Sequence, residues 1–382
     1  MNAKERVRNC IRRRATDRVP LGFYLVDHDT IGRVIGRPTY LRNKVGCQVA
    51  WWEGRREEVV ESMKADIVDF YRKIDLCDII TYKESARIPP RGYRPEDPPR
   101  KVAEKRWEDR KGRVYALSEI SNEIICVHDP DRDKREYTLE EFTKPVDDPL
   151  PDPSVLEVYD HMLDAFAETR YIAGLTGGVN NQVLLGGMER GLMAYATEPE
   201  LVRAAIARSV EQKRRLDAFY IRPCIDAAFV EEDLCSKKGP MLSPAMYRDM
   251  CLPAFKQRIA QIRSHGDFDI VYHSCGNTRA LLEQFIEAGV QVYQSIQTIP
   301  EMEIGALKRD FGDRLILWGG VPVEELVGGT PETVRAAVRE SMEKAAPGGG
   351  FILGPSHSIA FGTKYENFMA MLDEYDRLAD RC

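Results

Sequence analysis

From Val155 onward, short apolar runs alternate with longer amphipathic stretches at a spacing of about 25 to 40 residues. The pattern predicts strands at 171–178, 227–233, 269–275, 290–296, 314–321 and 350–356. It predicts helices at 155–168, at 180–219 with a break near Pro199, after Ser243-Pro244, at 278–288 and 300–310, after Thr330-Pro331, and at 364–379. Ser243 is a good N-cap, and Pro244 stands at the first helical position. The strands are predominantly apolar rather than alternating, as expected of parallel strands covered on both faces. Upstream, a helix over 2–15, a β-prone run at 19–26, a helix over 58–69 and a strand at 74–80 are expected. Between them and Val155 lie a proline-rich loop (89–99), a β-hairpin turning at Lys111-Gly112 and returning along 123–127, and a second surface excursion (129–153).

Six strand-helix units, with one or two more before them, predict a (β/α)8 TIM barrel: one α/β domain over residues 1–382 with N-terminal helical and β-hairpin excursions. No G-x-G-x-x-G follows the first strand, which argues against a dinucleotide fold. There is no internal repeat.

In such a barrel the chemistry sits at the carboxyl ends of the strands. Those ends carry Asp27-His28-Asp29, Asp78, Thr176-Gly177-Gly178, Glu231-Glu232-Asp233 followed by Cys235, His273-Ser274-Cys275, Gln294 and Gln297, Trp318-Gly319-Gly320, and Ser356-His357. Alternate residues of an extended chain point the same way, so His273 and Cys275 can face one point and supply half of a zinc shell. Cys235, His357 or Glu232 are candidates to complete it. The plainer reading makes Cys275 and Cys235 small packing residues and His273 a hydrogen-bonded neighbour. Zinc held by thiolate and imidazole suits one kind of chemistry in particular. It keeps a substrate thiol or hydroxyl as its anion, ready to take or release an alkyl group. Tyr24, His28, Asp78, Gln297 and Trp318 are the expected substrate contacts, with Trp51 and Trp52 as a further aromatic wall or as packing. The twin glycines at 177–178 and 319–320 either admit a ligand close to the backbone or simply make tight turns.

Composition narrows the partners. The 382 residues are 43 % hydrophobic and 30 % charged, with a formal net charge of −6 and a pI near 5.7. Neither a nucleic-acid nor an acidic membrane surface is expected, and Arg12 to Arg14 read as a solvated helix face. No apolar run is long enough for a membrane span, and M-N-A-K-E-R-V-R lacks the apolar core of a signal peptide. Nine cysteines without repeated spacing point to a reduced, cytoplasmic protein whose thiols are available for metal.

Several segments carry a resemblance. H-S-C-G-N (273–277), F-G-D-R-L-I-L-W-G-G-V (311–321), G-T-P-E-T-V-R (329–335), A-P-G-G-G-F-I-L-G-P-S-H-S-I (346–359), E-N (366–367) and D-L-C-S-K-K-G-P-M-L-S-P-A-M-Y-R (233–248) together resemble the uroporphyrinogen decarboxylase superfamily. The resemblance covers residues 220 to 380 well and the N-terminal third poorly, and it too implies a (β/α)8 barrel. Its decarboxylases carry an R-Q-A-G-R-Y type stretch after the first strand. Here the matching region is F-Y-L-V-D-H-D-T, with no arginine before Arg33. Its other branch comprises methyltransferases that work with corrinoid proteins, among them methylcobamide:coenzyme M methyltransferases and O-demethylase components. Members with zinc carry H-x-C and a distal cysteine. This chain keeps His273 and Cys275 and has Ser356-His357 where the distal cysteine would fall.

The resemblance therefore implies a zinc-assisted methyltransferase serving a small-molecule methyl donor or acceptor. Cobalamin would arrive on a separate corrinoid protein, since the chain has no D-x-H-x-x-G stretch. His273, Cys275, His357 and Glu232 are its expected catalytic residues, and a homodimer is compatible with it. The alternatives are a metal-independent decarboxylase or lyase using His357, Asp78 and Tyr24, and a non-catalytic corrinoid or tetrapyrrole binder.

Overall fold

The computed structural model describes residues 1–83, 88–119, 121–132 and 134–379. Among the described residues, seven strands form one curled sheet in which the order along the chain is also the order across the sheet. They are Ile79–Thr81, Tyr171–Gly174, Ala227–Glu231, Asp269–His273, Val292–Gln294, Ile316–Val321 and Phe351–Pro355, each parallel to its neighbours. All six strands expected after residue 155 are present, and helices such as Pro199–Tyr220, Pro331–Ala345 and Tyr365–Ala379 cover the outside.

The run at 19–26 is the exception. Among the described residues it forms no regular strand. It makes isolated parallel bridges instead, Leu21 to Leu353 and Gly22 to Ile79. Gly22 N donates to Leu353 O (2.9 Å), and Asp78 N donates to Leu21 O (2.8 Å), so the segment touches both edges of the sheet. Pro20 has no N–H, and the Leu21 N–H goes to the Asp78 side chain (Oδ2, 2.9 Å), so a continuous ladder cannot form. The result is a TIM-barrel-like α/β sheet of seven strands with an irregular eighth segment, where a complete barrel was expected.

Residues from all seven strands fill the middle. Ile79, Tyr171, Val271, Ile316, Trp318 and Ile352 pack into one cluster with Val7, Cys10 and Ile11 of the helix Ala3–Ile11. Trp318 is fully buried in this cluster, and its Nε1 donates to Gly22 O (3.1 Å). It fills the middle of the barrel. A Cβ on residue 22 would lie 2.9 Å from the Trp318 ring, so the indole requires a glycine there.

The N-terminal helix closes the end of the sheet where the strands begin. Arg6 Nη1 meets Asp78 (2.5 Å), Arg8 Nη2 meets Asp226 (2.6 Å) and Arg12 Nη1 meets Asp269 (2.7 Å). Each aspartate precedes or opens a strand, and each is buried. Arg12 makes this ion pair while remaining exposed, as Arg13 and Arg14 do. Burial pushes the carboxyls of Asp78 and Asp226 up despite these cations. Asp78 precedes its strand, Ile79–Thr81, because that strand begins later than the apolar pattern suggested. It stands at the end where the strands begin, not at the carboxyl ends where the substrate contact was expected.

The hairpin excursion is a four-stranded antiparallel sheet of Arg100–Ala103, Arg106–Glu108, Val114–Ser118 and Glu123–His128. Trp52, at the end of the helix Lys44–Trp52, packs against Trp107 and Tyr115 with ring centroids 5.7 and 5.9 Å apart. Among the described residues no helix is long and apolar enough to cross a membrane.

Candidate metal centre

His273 is the last residue of the strand Asp269–His273, and the chain then leaves the sheet through Ser274, Cys275 and Gly276. Gly276 has φ +83°, and a Cβ there would meet the Cys235 carbonyl oxygen at 2.6 Å, so a glycine is needed for the turn that presents Cys275. His273 Nε2 lies 3.2 Å from Cys275 Sγ. Its Nδ1 faces the side-chain oxygen of Gln294, the residue paired with it on the next strand. That contact places the ring proton on Nδ1 and leaves the Nε2 lone pair towards the thiol.

His357, two residues beyond the strand Phe351–Pro355, reaches the same point. One donor atom from each of His273, Cys275 and His357 lies within 4.8 Å of the others. Burial lowers the pKa of both imidazoles, His273 strongly, so both are neutral donors near pH 7. Burial and the neighbouring Asp233 push the Cys275 thiol well above its ordinary range. Two neutral imidazoles and one protonated thiol therefore face one point, and Cys275 would have to give up its proton to serve as a metal ligand. Three protein donors with one side open is the pattern of a catalytic rather than a structural zinc site.

Tyr24 holds the imidazoles in place. Its ring stacks on His273 (centroids 4.0 Å apart, 14° between planes) and meets His357 edge-on at 5.7 Å. Its hydroxyl donates to Glu231 Oε2 (2.5 Å) and accepts from Lys83 Nζ (2.6 Å). A cavity of about 410 Å3 opens beside the donors, lined by Tyr24, Arg42, Lys44, Lys83, Glu231, Glu232, Asp233, His273 and His357 among others. A larger cavity of about 670 Å3, lined by Arg13, Arg339, Gly348 to Gly350 and Phe351, lies at the opposite end of the strands and shares none of these residues.

The other expected residues are placed as follows. Cys235 is not among the clustered donors. It belongs to the short antiparallel pair Cys235–Ser236 and Gly239–Pro240, and burial pushes its thiol up to about 12. Glu232 lines the cavity but is also outside the donor group. Its carboxylate accepts from Gln182 N (2.8 Å) and Asn181 Nδ2 (3.1 Å), and burial raises its pKa to about 7. His28 opens the helix His28–Ile35 and stacks on Phe361 at 5.4 Å, away from the cavity lining. Gln297 lines a separate cavity of about 350 Å3 with Ile296, Pro300 and Ala337.

Gly177 is required for packing, not for a ligand, because a Cβ there would lie 2.0 Å from the Lys213 carbonyl oxygen. Its N–H donates to Asp217, which pairs with the fully buried Arg258 (2.8 Å). Arg42, Lys44 and Lys83 are lining residues that the sequence pattern did not single out, and Glu231 was read only as part of the rim. The signal was available: Lys83 stands two residues past its strand.

Two expected outcomes arise here. Replacing Gln294 by alanine frees the His273 ring, and zinc affinity should fall about 10- to 100-fold in a competition titration with a chelating dye. For Glu232, the raised folded-state pKa of about 7 against an ordinary value of 4.5 fixes a sign. Its contribution to stability is present below about pH 4.5 and is lost as pH rises to about 7. The Glu232→Gln variant lacks that loss, so its stability relative to the parent should rise between pH 5 and pH 8 in urea unfolding. A pH-independent difference would contradict this.

Against this geometry stand the comparisons with known proteins. The family model described as Uroporphyrinogen decarboxylase (URO-D) matches residues 139–378. A uroporphyrinogen decarboxylase from Thioalkalivibrio sulfidiphilus (strain HL-EbGR7) is 32 % identical over 140 residues, which is 36 % of this chain and 38 % of that protein. The aligned part thus spans well under half of that relative. Among solved structures, a methyltransferase from Methanosarcina mazei superposes with a TM-score of 0.63 over 99 % of both chains at 14 % identity.

Proposed function

The chain belongs to the uroporphyrinogen decarboxylase family, and from that premise we propose that it is a methyltransferase of this fold. In this reading it moves a methyl group between a small methylated substrate or acceptor and a corrinoid carried by a separate protein. The observation that supports the reading is the donor set of His273, Cys275 and His357, with one side open to a cavity of about 410 Å3. A tetrahedral zinc ion fits two imidazoles and one thiolate. When bound, zinc would hold a substrate thiol or hydroxyl as its anion, the form that accepts or releases a methyl group.

The protein's own residues have distinct roles. Gln294 fixes the His273 tautomer, Tyr24 fixes both ring planes, and Cys275 gives up its proton when metal enters. Glu232, outside the donor group, would act on substrate rather than on metal. His28, Gln297 and Cys235 have no assigned part in this reading.

The experiment is methyl exchange between methylcobalamin and a panel of thiols and phenols, followed by the colour change of the corrinoid. Turnover that needs zinc and is lost in His273→Ala supports the reading. A second reading, a metal-independent decarboxylase or lyase, is favoured by the family of the relative and by the cations Arg42, Lys44 and Lys83 in the cavity. Release of carbon dioxide from a small acid by chelator-treated protein, with no methyl exchange, would select it.

A further inference from the structure

Three cations line the cavity beside the donor cluster, and they are not equivalent. Arg42 is paired with Asp27 (3.0 Å) and Lys44 with Glu123 (3.3 Å), neither of which lines the cavity. Lys83 is paired with Glu231, a cavity residue, and donates to the Tyr24 hydroxyl at 2.6 Å. Through Tyr24, which stacks on His273, the Lys83 ammonium adjoins the donor cluster.

We propose that Lys83 determines specificity by binding an acid group, a carboxylate or similar oxyanion, on the small molecule that occupies this cavity. The inference rests on reading the cavity as the reaction site and adds to it the chemical class of what binds there. The incoming oxyanion shares or replaces Glu231 on the Lys83 ammonium. That exchange is inexpensive for the carboxylate that leaves, because the Glu231 side chain is 37 % exposed and returns to water, whereas Lys83 is 22 % exposed. The Tyr24 hydroxyl holds the ammonium in place before and after the exchange. Of the other two carboxyls in the lining, Glu232 accepts from Gln182 N and Asn181 Nδ2, and Asp233 accepts from Cys275 N (3.3 Å). A charge-assisted bond in a half-buried site is the strong kind, and a neutral molecule of the same shape cannot make it.

The test is calorimetric titration of the full chain, zinc-loaded and chelator-treated in parallel, with benzoate and with benzamide. The two probes share shape and differ in charge. Benzoate should bind the parent at least about tenfold more tightly than benzamide. Lys83→Met should abolish that preference, Lys83→Arg should keep most of it, and Glu231→Gln should tighten benzoate by removing its competitor. Equal binding of the two probes, no measurable binding of either, or a preference that survives in Lys83→Met would overturn the proposal. The metal reading is scored separately, by zinc content, which Lys83→Met should leave unchanged. Loss of zinc with the benzoate preference intact would count against the metal site and not against Lys83.

Discussion

Cys275→Ala protein, loaded with zinc beside the parent, is expected to lose at least about 100-fold in metal affinity while remaining folded. Cys275 is half-buried at a turn set by Gly276, so removing its sulfur leaves the sheet undisturbed. The remaining pair, His273 and His357, cannot by itself make a tight tetrahedral site. The same chemistry fixes a pH dependence. Both imidazoles have lowered pKa values and are already neutral near pH 7, whereas the thiol is raised and still carries its proton. Zinc binding by the parent should therefore release about one proton per ion, and affinity should rise about tenfold per pH unit between pH 6 and pH 8. Calorimetry in buffers of different ionisation enthalpy counts that proton. Cys275→Ala should show no release, and an unaltered zinc content in this variant would remove Cys275 from the centre.

Arg6→Ala is expected to lower unfolding stability by about 3 to 5 kcal/mol with no change in zinc content. Arg6 and Asp78 are both buried, and removing the guanidinium leaves the carboxylate without its main partner at the closed end of the sheet. Asp78 also accepts the Leu21 N–H that no backbone carbonyl takes, so Asp78→Ala should be at least as damaging. Urea unfolding of the variants checks this. Asp78→Asn with unchanged stability and no activity would restore Asp78 as a substrate residue.

Most of the architecture is legible in the sequence, for a physical reason. The parallel strands from residue 171 onward are almost wholly buried, so their residues are predominantly apolar, and each is followed by a helix. The first third was harder to read. The strand Ile79–Thr81 has three residues, and the apolar pattern extends upstream of it through Ile74 and Leu76. That shift moved the apparent rim to Asp78 and hid Lys83. The irregular segment at 19–26 depends on a side chain, Asp78, taking the place of a ladder carbonyl, and no periodicity reports such an exchange. His273 and Cys275 were legible because a period of two puts neighbouring donors together. The closeness of His357, which follows a strand three positions away in the sheet, is set by the fold and not by any sequence spacing. Cys235 looked equivalent in sequence, but its thiol does not join the three donors.

The most direct test is X-ray absorption at the zinc edge on protein purified without chelator or affinity metal and supplemented with zinc. The expected spectrum has one sulfur at about 2.3 Å and two imidazole nitrogens at about 2.0 Å, with one further light ligand that exchanges when a thiol is added. The sulfur shell should disappear in Cys275→Ala. A shell of oxygens alone, or protein that takes up no zinc at all, would contradict the assignment of His273, Cys275 and His357 as a metal centre.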